Sequence, residues 1–188
     1  MRTALALLCS LVACKGEGRK HEPPPPPAPT AHATNIPKVD LHFDLDGELH
    51  EPPWNQSAFR AVLTGDDGQQ ARPYSELRLL HDAKNLYLGL YAADEDIRST
   101  DAWDLVIGAR TLRIDAAGKT DAGLRVGVDR DGSLDHPEDF DEEWVIETAI
   151  PLDSLGPPPL AIMAKRCDKT KDGEVRCGQW KGSLELEP

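Results

Sequence analysis

The chain has 188 residues and a formal net charge of −12 at pH 7. This acidic excess argues against a nucleic-acid partner, because phosphates are bound by a basic face, and against polybasic attachment to anionic lipid. Once a leader and a linker are subtracted, roughly 150 residues remain, which is the size of one domain with its own core.

The first thirteen residues have the features of an export signal. Arg2 supplies a positive charge, an apolar run follows over residues 4–13, and residues 11–14 read LVAC. The run has only half of the roughly 20 residues that a membrane-spanning helix needs, so it predicts a removable signal peptide. An ordinary signal peptide that happens to contain a cysteine is the alternative.

The sequence LVAC resembles a lipobox, the cleavage and acylation motif of bacterial lipoproteins. The resemblance implies that residues 1–13 are removed and that acylated Cys14 holds the protein in a lipid bilayer. Lys15 follows the cysteine where an aspartate would favour retention at the inner membrane, so the outer membrane is the expected location.

Residues 14–37 are expected to form the lipidated start of the mature chain and a linker. Prolines occupy positions 23–27 and 29, and such a stretch is an extended spacer of about 3.1 Å per residue. A ligand for a proline-reading domain is the alternative. Residues 38–188 are expected to form the folded domain.

The pattern within this domain has a period of two. Leucines alternate with other residues over 76–79 and 86–91, and the polar residues 81–85 connect the two runs, which predicts a hairpin. Further short apolar runs, each bounded by Gly, Asp or Pro, lie at residues 105–107, 112–114, 124–128, 144–150, 160–164 and 184–186. No stretch has helical periodicity, so the sequence predicts an all-β protein, an antiparallel β-sandwich or barrel.

Two cysteines remain in the predicted domain, Cys167 and Cys177, on either side of a polar turn that contains Asp-Gly. An even pair in an exported protein predicts a disulfide. A zinc site is disfavoured, since zinc takes four ligands and no other cysteine or histidine cluster lies nearby.

Four segments, in the same order along the chain, resemble carbohydrate-binding module family 9. They are residues 45–54 (LDGELHEPPW), 79–88 (LLHDAKNLYL), 94–97 (DEDI) and 147–156 (ETAIPLDSLG). The resemblance implies a jelly-roll-like sandwich that grips a sugar between two tryptophans and holds structural calcium. Such a site is physically reasonable, because a pyranose face stacks on an indole while polar side chains satisfy its hydroxyls.

The resemblance is incomplete where the site should be. Residues 103–108 (WDLVIG) lack the glutamate of the family's Asp-x-Val-Glu strand, and the C-terminal strands are compressed. By loose correspondence, Trp103 and Trp180 are the candidates for the clamp, with Asp101 and Asp104 beside it. Trp54 and Trp144 are expected to belong to the core.

Acidic residues suggest a possible metal site. Asp129, Asp131 and Asp135 place oxygen ligands at alternate positions, as calcium requires. The glycine within this stretch comes too early for an EF-hand loop and no glutamate stands at the twelfth position, so a simple turn is the competing interpretation. The acidic runs at 94–96 and 135–143 are interpreted as solvated loops.

No nucleophile, phosphate-binding or zinc-protease motif occurs. The prediction is therefore a non-catalytic, monomeric, membrane-tethered lipoprotein that binds a plant or microbial polysaccharide or its oligosaccharides. Two alternatives stay open: a structural or interaction module of the envelope, and a haem-binding version of the sandwich with Met163 or a histidine as axial ligand.

Overall fold

The computed structural model describes residues 33–40 and 43–188. The predicted signal peptide, Cys14 and most of the predicted linker lie outside these residues. The strands are β1 (Thr34–Ile36), β2 (Phe59–Val62), β3 (Ser75–His81), β4 (Asn85–Ala93), β5 (Ala102–Ile107), β6 (Arg110–Asp115), β7 (Val126–Asp131), β8 (Glu143–Pro151), β9 (Leu160–Lys169) and β10 (Val175–Leu186). A short α-helix, α1 (Pro52–Gln56), and a 3-10 turn (Leu152–Ser154) complete the secondary structure.

The strands form two five-stranded sheets that pack face to face. Sheet I has the order β1-β10-β9-β5-β6, and sheet II has the order β2-β3-β4-β8-β7. Only β1, which runs parallel to β10, departs from antiparallel pairing within the two sheets. The predicted all-β sandwich is confirmed. No helix among the described residues is long and apolar enough to cross a membrane.

The hairpin predicted from the leucine alternation is confirmed. Strands β3 and β4 pair in antiparallel register, with Leu79 opposite Leu88 in the interior. Asp82 fixes the turn, because its Oδ1 accepts the backbone N–H groups of Lys84 and Asn85, each at 2.6 Å. This use of an aspartate to satisfy turn amides is common.

Sheet II is also covered on its outer face, by residues 43–58. Phe43 packs between Trp54 of α1 and Tyr87 of β4, with ring centroids 5.1 and 4.6 Å apart. These residues belong to a second apolar cluster, separate from the core between the sheets, and Trp54 is fully buried there as expected. Gly127 allows the close approach, since a Cβ there would lie 2.3 Å from the carbonyl oxygen of Leu45.

Two of the segments used for the family resemblance contact each other in this layer. The Oε2 atom of Glu147, a buried residue of β8, accepts the N–H groups of Asp46 and Gly47 at 3.1 and 3.0 Å. Burial, and after it the charge of Glu51, raises the pKa of Glu147 to about 7. The Asp-Gly turn near the N-terminus is thus held on sheet II by one carboxylate.

Strands β1 and β10 both begin earlier in the chain than the sequence patterns indicated. Strand β1 lies inside the region expected to be linker, because Ile36 is fully buried and the strand hydrogen-bonds to β10. Strand β10 begins at Val175, well before the predicted run at 184–186. The predicted disulfide is confirmed: Cys167 and Cys177 are paired directly across β9 and β10 and are bonded.

Candidate functional site

One end of the sandwich concentrates polar side chains around a cleft. The first residues of β3 and β8, the last residues of β4, and the β9–β10 hairpin meet at this end, because neighbouring strands are antiparallel. They enclose a cleft of about 640 Å³, within the size range of small-molecule sites. It is lined by Arg72, Pro73, Tyr74, Ala93, Asp94, Glu95, Asp96, Phe140, Asp141, Glu142, Asp168, Thr170, Lys171, Asp172 and Arg176.

The floor of the cleft is organised by Arg166 of β9, whose side chain is only 2% exposed. Its Nη2 donates to Oδ2 of Asp94 at 2.6 Å and to Oδ1 of Asp168 at 3.3 Å. Its Nη1 donates to Oγ of Ser75 at 3.2 Å and to the backbone oxygen of Ala93 at 3.0 Å. A buried guanidinium is tolerated only with such partners, so these bonds hold the ends of β3, β4 and β9 together.

Trp144 lies beneath this network. The guanidinium carbon of Arg166 is 5.7 Å from the centroid of the Trp144 ring, within the range of a cation–π contact. The indole Nε1 donates to Oδ2 of Asp94 at 3.1 Å, so that one oxygen accepts bonds from both residues. Trp144 is fully buried, as the sequence suggested, and supports the floor of the cleft.

A third carboxylate, that of Asp101, lies beside this network. Carboxylate oxygens of Asp94, Asp101 and Asp168 all lie within 4.8 Å of one another, and all three side chains are buried. Burial, and after it the charge of Asp94, raises the pKa of Asp101 to about 6 and that of Asp168 to about 7. Both shifts favour the protonated forms, so these acids take up protons at a higher pH than exposed aspartates do.

These residues fit a guanidinium-centred network better than a calcium site. Calcium takes six to eight oxygen ligands, whereas the oxygens of Asp94 and Asp168 already receive hydrogen bonds from Arg166. A cation placed among them would face the positive charge of that side chain. We therefore assign no metal to the floor of the cleft.

Asp129, Asp131 and Asp135, the metal ligands suggested by the sequence, do not form a site in the described residues. All three are exposed. The first two are two positions apart on β7, which separates their Cα atoms by about 7 Å. Asp135 instead forms a hydrogen bond within the loops, since its Oδ1 accepts the N–H of Ser99 at 3.0 Å. The acidic residues at alternate positions are therefore the solvent-facing positions of the edge strand β7 and of the turn that follows it.

The two tryptophans proposed as a sugar clamp do not form one. Trp103 is 0% exposed and belongs to the core between the sheets. Trp180 is half-buried on β10, its ring 5.4 Å from that of Phe59 and folded over Gly182. Both indoles point to the interior. The alternation of Trp103 with Leu105 along β5 was the signal that could have placed this residue inside.

The two aspartates suggested beside that clamp are separated. Asp101 belongs to the buried cluster with Asp94 and Asp168, as described above. Asp104 is partly exposed on β5 and forms an ion pair with Arg113 of β6 at 2.7 Å. Met163, suggested as a haem ligand, lies on β9 of sheet I, and the buried His81 lies on β3 of sheet II.

Sequence reasoning missed the aromatic residues that line the cleft. Phe140 is 77% exposed. Tyr74 donates its hydroxyl to Oε2 of Glu76 at 2.6 Å and packs edge-on against Tyr91. Phe140 within the acidic run 135–143 was the available signal, because it is the one large apolar side chain in that run.

A hydrogen bond from a side chain to the backbone joins the two sides of the cleft mouth. Lys171, in the β9–β10 hairpin, donates its Nζ to the carbonyl oxygen of Asp139 at 3.2 Å. The loop that carries Phe140 is therefore bonded to the hairpin that carries Asp168. The cleft offers one exposed ring surrounded by carboxylates and cationic donors, an arrangement suited to a polyhydroxylated ligand with an apolar face.

No protein-family model matches the sequence, and no curated protein matches it. Solved structures match the fold. A carbohydrate-binding module family 9 from Caldicellulosiruptor kristjanssonii in complex with glucose has a TM-score of 0.60 at 12% identity, covering 82% of this chain and 95% of that one. A structure of a family 9 module from the same organism in complex with cellotriose has a TM-score of 0.59 at 13% identity. It covers 82% of this chain and 94% of that one.

A third solved structure has the same architecture. It is a candidate carbohydrate-binding protein from Bacteroides uniformis, with a TM-score of 0.54 at 13% identity, and it covers 84% of this chain and 100% of its own. The agreement extends over nearly the whole described sandwich. The chain therefore has the β-sandwich fold of carbohydrate-binding module family 9.

Proposed function

We propose that this chain is a non-catalytic carbohydrate-binding lipoprotein, and that the cleft at the β9–β10 end of the sandwich is its sugar site. Solved proteins of the same fold bind cellotriose and glucose, which supports a saccharide as the ligand. A plant or microbial polysaccharide, or oligosaccharides released from it, is the proposed class.

The exposure of Phe140 is the observation that carries the proposal. Leaving a phenylalanine side chain in water forgoes about 1.5–3 kcal/mol of burial free energy, and an aromatic side chain beside polar groups in a concave surface is typical of a ligand site. The C–H face of a pyranose is a matching surface. Glu95 and Glu142, both exposed in the same cleft, are placed to accept hydrogen bonds from hydroxyls, and Lys171 can donate them.

Four other carboxylates of the cleft have structural roles, which supports binding rather than hydrolysis. A glycosidase uses two carboxylates as acid and base or nucleophile. Here Asp94 and Asp168 are bonded to Arg166, Asp96 pairs with Arg98, and Asp141 accepts the N–H groups of Ile97 at 2.7 Å and of Ser133 at 2.9 Å. These acids are committed to holding the loops in place.

Tethering through Cys14 is the second part of the proposal. It rests on the signal-like N-terminus, the lipobox and the proline-rich segment, which together predict a lipid-anchored chain with a spacer. Such a protein would hold its sugar-binding domain at the cell envelope, with the outer membrane as the expected location. We propose that it acts as a monomer.

Calorimetry is the appropriate test, because no indole lies in the cleft and tryptophan fluorescence would respond weakly. The full-length chain, in a detergent without a sugar headgroup, is titrated with glucose, cellotriose, xylotriose and a wider glycan panel. We expect saturable heat for at least one glycan and an affinity at least fivefold lower for Phe140→Ala. Thr111→Ala, on the distant edge strand β6, should bind like the parent. The absence of heat across the panel would overturn the proposal.

An envelope module without sugar binding is the second candidate. The complete burial of Trp54, Trp103 and Trp144 favours it, since the indoles most often used to stack sugars are occupied by the core. On this hypothesis Phe140→Ala changes no glycan interaction. The same titrations therefore decide between the two candidates.

A further inference from the structure

A second groove adjoins the cleft. It has a volume of about 730 Å³ and lies between the β2–β3 loop and the first residues of β10. Arg72 and Arg176 line both cavities, so the two meet along these side chains. The groove contains no residue that the sequence resemblance assigned to a ligand.

The groove repeats the composition of the cleft. The large hydrophobic side chains that remain exposed in the described residues are Phe140 at 77% and Val175 at 62%. Phe140 lines the cleft and Val175 lines the groove. Each cavity therefore offers one large exposed hydrophobic side chain, and both lie at the same end of the sandwich.

Polar groups surround Val175 as they surround Phe140. The carboxylates of Asp66 and Asp67 and the amides of Gln69 and Gln70 line the groove, and all four residues are exposed to solvent. Amide side chains both donate and accept hydrogen bonds, which suits the hydroxyls of a sugar.

The loop that carries these groups is preformed. The N–H of Gly65 donates to the carbonyl oxygen of Gln69 at 2.8 Å, and the N–H of Gln69 donates to Oδ1 of Asp67 at 2.9 Å. Thr64 and Gln179 exchange backbone hydrogen bonds of 3.0 and 2.9 Å, which fix the loop to β10. Because the loop is already ordered, ligand binding would cost little free energy for ordering it.

The junction between the cavities is built for hydroxyl groups. Arg72 is exposed, and the guanidinium of Arg176 is held by Glu174 through bonds of 3.1 and 2.7 Å. Guanidinium groups present several donors in fixed directions and carry no acceptor. A saccharide chain that extends from the cleft into the groove would contact both guanidinium groups on its way to Val175.

From this continuity we propose that one saccharide chain occupies both cavities, with one part on Phe140 in the cleft and another part on Val175 in the groove. The inference rests on the proposed function and extends it. It identifies the preferred ligand as an oligosaccharide or a polysaccharide segment, longer than the cleft alone would hold.

Chain length tests the inference directly. The full-length protein is titrated by calorimetry with the dimers and hexamers of the cello- and xylo-oligosaccharide series. We expect a hexamer to bind at least tenfold more tightly than its dimer. Val175→Ser should remove most of this gain while it leaves the affinity for the dimer within twofold, whereas Phe140→Ala should weaken both ligands.

Val106→Ser, on β5 and away from both cavities, is the matched control and should bind both lengths like the parent. Thermal melts confirm that each variant is folded. Equal affinities for dimer and hexamer would overturn the extended site and leave the proposed function standing, as would an equal loss for both lengths in Val175→Ser. If the parent bound neither these series nor any other glycan of the panel, the proposed function itself would be overturned, and the extension would fall with it.

Discussion

Nη2 of Arg166, on sheet I, lies 2.6 Å from Oδ2 of Asp94, which follows the last strand residue of β4 on sheet II, and both side chains are 2% exposed. This ion pair joins the two sheets directly below the cleft. Removing one partner of a buried pair leaves the other charge without compensation, which costs more than the pair itself contributes.

Arg166→Met should therefore lower the free energy of unfolding by about 3–5 kcal/mol at neutral pH. Adding Asp94→Asn to that variant should recover part of the loss, because the uncompensated charge is removed as well. Urea unfolding measures both. The control is Arg176→Met, which breaks an exposed pair with Glu174 and should change stability by no more than about 1 kcal/mol. Similar small effects for both single variants would contradict the assignment.

Stability should fall as the pH rises from about 4 to about 7. Burial raises the pKa of Asp101 to about 6 and of Asp168 and Glu147 to about 7, from ordinary values of 3.8 and 4.5. The folded state therefore binds more protons than the unfolded state in this range, and their stabilising effect is complete below about pH 4 and lost above about pH 7.

Urea midpoints at half-unit steps from pH 4.5 to 8.5 measure this slope. Asp168→Asn and Glu147→Gln should each flatten it. Asp82→Asn is the control, since hydrogen bonds lower the pKa of Asp82 and its contribution changes only below the window. A parent protein whose stability rises between pH 5 and 8 would contradict the prediction.

Loss of the disulfide should cost about 2–3 kcal/mol of stability, because Cys167 and Cys177 close a short loop that the unfolded chain would otherwise leave open. The double variant Cys167→Ser with Cys177→Ser is compared with the parent in urea, with and without a reductant. The reductant should destabilise the parent by a similar amount and leave the variant unchanged. A shift of the variant by the reductant would implicate another thiol.

Cys14→Ser should release the protein from membranes. Cells are fed an alkyne-tagged fatty acid and fractionated, and the parent is expected to carry the label and sediment with the membrane. Cys9→Ser is the matched control, because this cysteine lies inside the predicted signal and should leave labelling intact. Labelled, membrane-bound Cys14→Ser protein would refute lipidation at this position.

The alternation of apolar residues was sufficient to predict the sandwich and the β3–β4 hairpin, and the even number of cysteines in an exported domain predicted the disulfide. Alternation was insufficient for β1, because a strand as short as Thr34–Ile36 has no period of its own and is stabilised by β10. Helix α1 was missed for a similar reason. Its five residues are held by the packing of Trp54 against Phe43 and not by helical propensity.

The site was predicted less well than the fold. Composition identified acidic loops, but it could not show that Asp94, Asp101 and Asp168 from three different segments converge on Arg166. That convergence is set by long-range pairing of the strands. Conversely, Trp103 was assigned to a ligand by analogy with a family, although its own strand places it inside. Local alternation was the better guide there.

The pairing of β1 with β10 brings the chain into and out of the sandwich at one place. Thr34 lies opposite Leu184, nine positions along β10 from Val175, which is about 30 Å at the rise of a β-strand. The proposed binding surface is thus at the first residues of β10, whereas β1 lies beside the last residues of that strand. A force applied between a bound polysaccharide and an N-terminal anchor would therefore act parallel to β10, across the whole length of the domain.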